Sequence, residues 1–439
     1  MSCVDNRWGM IQTLQKGLIV LLVLTAAVGS AVLSVRVGGI TVYPFRLLVL
    51  TVLLAAPLLQ YRLSWLSEDV PRAFAFVGFV WLVWGGCSVF WSPSFAGGVE
   101  DVFAVGFGFA VGVALLTLGA AQMSSLRWLR RGWVLAFLVT GAIAIWELVT
   151  GNHLPGAYAE RAPDYALRSI AISTFGNPNN YGAFLVLCLP FLLHSRQQSD
   201  SLVLATCYEV LLILFFGILF MTGSRSALFG AVVEMGVLVV FFGAIKRGIA
   251  ILGMGAVLVA GLLYAGFSFE DLQLLSSLQV LLSDSAFEQG SLRARLGLTL
   301  NGVWMLLSTV GIGVGAGGYE LAAQNPDLPY YTSGLVNPHN FWIEVLSEYG
   351  IVVGGLFVGM MGLFFLRSLQ SYWARRGPWA QTALLMLVGY FFASLANSTY
   401  MAQPTNWMAI ASIMCIVGAL EREGKDQPSP EGRKETSHS

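Results

Sequence analysis

The residues best placed to do chemistry stand in one stretch: Val336-Asn337-Pro338-His339-Asn340-Phe341-Trp342-Ile343-Glu344, continuing through Glu348 and Tyr349 to Gly350. A long polar loop ends there and an apolar run begins. Asn337 reads as an N-cap and Pro338 as the first helical residue, which puts His339 in the first exposed turn of a helix. The positive end of a helix dipole favours the neutral imidazole, so the chemistry on offer is that of a base. Asn340, Glu344 and Glu348 recur every four residues and lay a polar stripe along that helix. A capped helix with an interfacial polar face satisfies the same pattern.

The elements that position this stretch are apolar. The chain has 439 residues, 56% of them hydrophobic and 11% charged, with a mean hydropathy of +0.72. That composition belongs to an integral membrane protein and excludes a soluble enzyme. Runs long enough to cross about 30 Å of hydrocarbon fall near 17–35, 45–60, 73–91, 102–121, 132–150, 178–195, 202–222, 225–243, 247–267, 339–366, 379–398 and 405–420. Twelve spans put both termini on one side, and 17 of the 24 Lys and Arg residues then fall on that side, which the positive-inside rule makes cytoplasmic. No cleavable secretory signal precedes the first run. The five cysteines are scattered without a CxxC pair, so a metal site or disulfide framework is not expected. Residues 1–420 read as the membrane domain and 421–439 as a disordered cytoplasmic tail.

The seven basic residues left outside are Arg36, Arg46, Arg161, Arg168, Arg225, Arg293 and Arg295, every one an arginine. Planar guanidinium groups bind phosphate or carboxylate in a bidentate manner, which points to anion recognition. Contact with lipid headgroups accounts equally well for Arg36 and Arg46. Arg225 follows Thr222-Gly223-Ser224 at an outward-facing helix start, where guanidinium donors and free backbone amides together suit a phosphate. Asn177-Pro178 repeats the cap-then-proline order, and Asn179 and Asn180 follow it into the membrane. They suit either a substrate site or helix–helix hydrogen bonds.

An outer loop, about 268–338, carries two amphipathic helices expected along the membrane interface. One shows Phe269, Leu272, Leu275 and Leu282, the other Leu292, Leu296, Leu300, Val303 and Leu307. Arg293 and Arg295 lie two apart on the second and project differently, so at most one shares a site with Arg225. The run Gly311 to Gly318 lacks the strand, helix and lysine of a nucleotide-binding loop. It reads as a flexible turn folding the loop down onto the bundle. Glu100 and Asp101 are adjacent and diverge, a poor basis for a metal site. His153, His194 and His438 have no partners at ligand spacing.

Three of these places resemble the O-antigen ligase and O-antigen polymerase superfamily (Wzy/WaaL type): Pro338-His339-Asn340 followed by Glu348-Tyr349-Gly350-Ile351, Thr222-Gly223-Ser224-Arg225, and the segment from Arg293 through Trp304 to Gly313-Val314-Gly315. The resemblance covers residues 165–365 in detail and the rest as topology. It implies an all-α, GT-C-like membrane glycosyltransferase that uses neither metal nor cofactor. Such an enzyme moves a glycan from an undecaprenyl-pyrophosphate-linked oligosaccharide to a sugar hydroxyl at the outer face of the cytoplasmic membrane of a bacterium. The acceptor is a glycan, free or lipid-linked, and a chain-length regulator is a conceivable partner. The implied roles are His339 as the catalytic base, Arg225, Arg293, Arg295 and Arg168 on the pyrophosphate, and Asn340, Glu348, Asn180 and Ser224 in support. The asparagine entry at 177–180 is similar to the polymerase branch of Gram-positive envelopes, which makes capsule or teichuronic acid. A flippase for lipid-linked sugar and a protein O-oligosaccharyltransferase are the rival readings, against the first of which stand the one-sided loop and the absence of repeats.

Overall fold

Apolar runs with few internal breakers give helices, and the computed structural model is almost wholly helical. It describes residues 2–31, 34–37, 40–58, 65, 67–155, 170–243, 253, 291–375, 377–395, 397 and 400–425. Thirteen α-helices lie among them: α1 Ser2–Val28, α2 Pro44–Leu54, α3 Asp69–Ser88, α4 Phe95–Thr117, α5 Met123–Thr150, α6 Pro178–Gln197 and α7 Leu202–Met221, then α8 Arg225–Val240, α9 Ser291–Ser308, α10 Tyr319–Ala322, α11 Phe341–Arg375, α12 Pro378–Ala393 and α13 Pro404–Lys425. A two-stranded antiparallel hairpin, β1 Val35–Val37 and β2 Ile40–Val42, precedes α2. Seven helices are long and apolar enough to cross a membrane: α3, α4, α5, α7, α11, α13 and residues 9–28 of α1. α2 and α12 are apolar but shorter. The expected span at 247–267 and the helix around Phe269–Leu282 lie outside the described residues.

The middle of α13, from Thr405 to Leu420, is buried throughout, and the other helices pack around it. The bundle alternates in direction, so α2, α4, α6, α8, α11 and α13 begin at one end. Contacts tie those starts together: Phe341 N–H donates to the Ser394 carbonyl at 2.9 Å, Ala171 N–H to the Met221 carbonyl at 2.9 Å, and the Thr174 hydroxyl to the Ala27 carbonyl at 2.6 Å. α13 runs on to Lys425, where the Glu421 carboxylate caps α3 by accepting from Asp69 and Val70 N–H at 3.0 and 3.2 Å. Residues 421–425, expected in the tail, are therefore helical and anchored.

α11 is broken near its start. Gly350 has φ 78°, ψ −176° inside an otherwise helical run. In an unbroken helix Ile351 N–H would donate to the Ser347 carbonyl. Here Ile351 N–H donates to the Gly311 carbonyl at 2.9 Å, and Val314 N–H fills the vacated Ser347 carbonyl at 2.8 Å. Gly315 N–H then reaches the Glu348 carbonyl at 3.0 Å. The glycine-rich run, expected to be flexible, is thus stitched to the break. On its other side the Ser92 hydroxyl donates to the Ala316 carbonyl at 2.8 Å and Trp91 Nε1 to the Gly313 carbonyl at 3.1 Å.

Gly313 sits at φ 90°, and a Cβ there would lie 2.4 Å from the Glu348 carbonyl oxygen. Gly313→Ala should cost about 2 kcal/mol or more through strain and overlap with backbone that cannot move aside. Gly355→Ala in α11, with nothing within 4 Å of its Cβ position, should be neutral. Thermal melts of the purified variants check this, and equal melting of both would show that the junction is soft.

Candidate functional site

At the end of the bundle where α11 begins, the loop before it is held by α9. Asn301 Nδ2 donates to the Tyr330 carbonyl at 2.8 Å while its Oδ1 accepts from Tyr330 N–H at 3.1 Å, a reciprocal clamp. The Tyr319 hydroxyl donates to the Leu298 carbonyl at 2.6 Å. Leu298 and Met305 form the buried face of α9, whereas Leu296, Val303 and Leu307, on the apolar face read from the sequence, point outward.

His339 is not in the first turn of α11, which starts at Phe341. Its backbone is left-handed, with φ 49°. Asn337 Oδ1 accepts from His339 N–H at 3.0 Å in a local turn, and Asn337 Nδ2 donates to Glu320 Oε1 at 2.7 Å. The helix cap is Asn340, whose Oδ1 accepts from Trp342 and Ile343 N–H at 3.1 and 3.3 Å. The expectation of an Asn337 cap is corrected: tertiary partners took that side chain, and the next asparagine serves. By contrast Asn177 Oδ1 caps α6 as its sequence suggests, accepting from Asn179 N–H at 2.8 Å.

The half-buried His339 imidazole lies within range of the charge of Arg295 on α9, and Arg295 within range of that of Arg225 at the start of α8. Burial first, and the Arg295 charge second, push the His339 pKa below its ordinary value. Both effects favour the neutral ring. Burial and then Arg225 likewise disfavour the Arg295 cation. Of the two arginines on α9, Arg295 joins this group; Arg293 is exposed. Arg168 lies outside the described residues. Ser224 is buried beside Arg225, and its hydroxyl lies 3.4 Å from that of Ser226 rather than capping α8. Asn180 is buried in the first turn of α6 with Oδ1 unpartnered. Glu348 turns away, accepting from Tyr319 N–H at 3.0 Å, so its part is to hold the glycine turn.

Four carboxylates at this end of the protein are taken up by hydrogen bonds, and Glu344, in the first turn of α11, is a fifth that, among the described residues, is not. Glu147 Oε2 accepts from Ile172 and Ser173 N–H at 2.9 and 2.7 Å, and its Oε1 lies 3.0 Å from His153 Nδ1. Asp101 accepts from the Tyr349 hydroxyl, and Glu320 and Glu348 are used as above. Among the described residues no carboxylate pairs with Arg225 or Arg295. At the opposite end three arginines are paired, Arg375–Glu423 at 2.6 Å, Arg367–Asp69 at 2.5 Å and Arg196–Glu209 at 2.6 Å, while Arg127 and Arg131 lie over the Trp128 ring. Helix N-termini add partial positive charge to the uncompensated end. An arrangement of this kind suits an anion, with a neutral imidazole beside it. Asn301, Tyr319 and the Asp101–Tyr349 contact were missed from the sequence. Only Asn301, a polar residue inside an amphipathic helix, carried a local signal.

Residues 210–358 match the sequence profile of the family described as O-antigen ligase. That stretch holds Arg225, Arg293, Arg295, His339 and both halves of the glycine junction. The teichuronic acid biosynthesis protein TuaE of Bacillus subtilis (strain 168) is 22% identical over 437 residues, covering 94% of this chain and 86% of the relative.

If Arg225 and Arg295 face each other without a counter-charge, Arg225→Gln should leave the ligand-free protein as stable or more stable by about 0.5 kcal/mol, the size of an exposed like-charge contact. A chemical-denaturation midpoint checks it, and a loss above about 1 kcal/mol would reveal a structural partner. By these comparisons the chain is a multi-helix protein with spans long and apolar enough to cross a membrane, and its residues 210–358 are similar to the O-antigen ligase family.

Proposed function

We propose that this protein is a membrane glycosyltransferase that polymerises or transfers undecaprenyl-pyrophosphate-linked glycan onto a sugar hydroxyl, within the cell-surface polysaccharide role of its superfamily. The observation that carries the proposal is the grouping of His339, Arg295 and Arg225 at an end of the bundle where, among the described residues, no carboxylate pairs with either arginine. The relative's teichuronic acid name supports the polymerase over the ligase. The all-arginine set on this side, against the basic residues on the other, supports placing the site at the outer face of the cytoplasmic membrane with both termini inside.

In the reaction His339 takes the proton from the attacking hydroxyl, and the hydroxyl oxygen displaces the pyrophosphate at the anomeric carbon. The glycosidic bond forms as the bond to the pyrophosphate oxygen breaks. Negative charge grows on the leaving pyrophosphate, where Arg225 and Arg295 stabilise it, with Arg168 and Arg293 as further candidates. Direct displacement inverts the anomeric configuration. Asn340 fixes the helix start behind His339, and Ser224 and Asn180 lie at the neighbouring helix entries.

Arg225→Gln should weaken binding of the undecaprenyl-pyrophosphate glycan by about tenfold or more, a charge-assisted contact being worth about 1.5–3 kcal/mol; unchanged affinity would remove Arg225 from the pyrophosphate site. The pH dependence has a defined sign. The working form of His339 is neutral, and its pKa is depressed, so turnover falls only as pH drops through that lowered value. Removing the Arg295 charge lets the pKa rise. The acid limb of kcat/KM against pH should therefore move to higher pH in Arg295→Gln. A limb that stays in place would separate the two groups.

A further inference from the structure

Arg46 was assigned above to headgroup contact or anion recognition without distinction, and the structure gives it a different setting. It lines a cavity of about 240 Å³, in which one water takes about 30 Å³ of liquid volume. The space suits a phosphate or pyrophosphate group. The walls come from the end of α1 (Ala27), the hairpin (Thr41), the start of α2 (Tyr43), the turn before α6 (Thr174) and the turn before α13 (Gln403). α2 and α13 present their N-terminal ends to the cavity, with Pro44 and Pro404 in first position.

The guanidinium is built into place and left partly unused. One N–H donates to the Thr41 carbonyl at 2.8 Å. The rings of Tyr43, Phe103 and Phe107 lie 5.2, 5.9 and 5.7 Å from its carbon and fix its plane. Nε is buried without a hydrogen-bond partner, and no carboxylate pairs with Arg46 among the described residues. A half-buried cation held by rings, with donors to spare and a cavity beside it, calls for an anion. The flank of α2 shows which kind. Leu47, Leu50 and Leu54 are exposed along it, so an apolar chain attached to the anion would have a surface to follow. Tyr400, next to the cavity wall, packs on Phe341 with ring centroids 6.1 Å apart, which puts the cavity at the His339 end, although none of residues 337–341 lines it.

We infer that the Arg46 cavity is a second anion site, separate from Arg225 and Arg295, that holds the phosphate or pyrophosphate of a lipid. The group comes either from a bulk phospholipid or from a prenyl-pyrophosphate-linked glycan, such as an acceptor waiting beside the donor. Delipidated full-length protein in detergent, titrated with farnesyl pyrophosphate and separately with phosphatidylglycerol and followed by native mass spectrometry, tests it. Arg46→Gln should lose about tenfold or more in affinity for one of the two probes, with Arg46→Lys keeping part of it. Gln403→Trp, which fills the cavity and leaves the arginine untouched, should lose the same event and guards against misfolding of the first variant. Dependence of the farnesyl pyrophosphate event on Arg46 identifies a lipid-linked substrate; dependence of the phosphatidylglycerol event alone identifies a bulk headgroup. Either supports the site. Binding of both probes unaltered by Arg46→Gln and Gln403→Trp overturns it. Arg225→Gln should leave this event intact, so failure of the donor site and failure of this one read out on different variants.

Discussion

The break in α11 at Gly350 is the constraint on which the site depends. A helix interrupted in an apolar bundle must satisfy the backbone groups it frees, because no water is there to do so. The glycine run 311–318 supplies the missing partners, and Gly313, Gly315 and Gly317 adopt the positive φ values that bring their backbone close enough. This fastening fixes both ends of the 319–338 segment, the near end at the junction and the far end at Asn340. Asn301 holds it midway. His339 is therefore positioned by backbone hydrogen bonds on either side of it rather than by membership of a helix.

The second feature is a division of charge. Ion pairs gather at the end of the bundle where α3 starts and α11 and α13 finish, and there they fasten helix termini to each other. At the His339 end four acids are present but committed: Glu147 to the backbone before α6, Glu348 to Tyr319, Glu320 to Asn337, Asp101 to Tyr349. Arginine charge remains uncompensated as a result. Leaving it so costs stability in the free protein, a cost that the pyrophosphate of the proposed donor would recover on binding. Burial first and the Arg295 charge second lower the His339 pKa, so the proposed base and the proposed anion site share one electrostatic arrangement.

Hydropathy made the bundle legible, since long apolar runs have few alternatives to a helix. The residues proposed for the chemistry stand out too, a histidine and an all-arginine outer set against so apolar a background. Local grammar was less dependable. Asn177-Pro178 and Asn337-Pro338 read alike, yet Asn177 caps a helix and Asn337 is drawn to Glu320, a partner 17 residues away that no local pattern discloses. The glycine turn read as flexible for the same reason, its partners Ser347 and Glu348 lying in the helix that follows. Asp101 was set aside as half of a diverging acidic pair, and its partner Tyr349 is 248 positions distant.

The most direct measurement is an in vitro reaction of the purified protein with an undecaprenyl-pyrophosphate oligosaccharide, its products resolved on a gel beside those of His339→Ala. The account predicts a ladder of longer lipid-linked glycans from the native protein. From the variant it predicts none, although the donor still binds. Normal polymer from His339→Ala, or transbilayer movement of the lipid with no new glycosidic bond from the native protein, would contradict it.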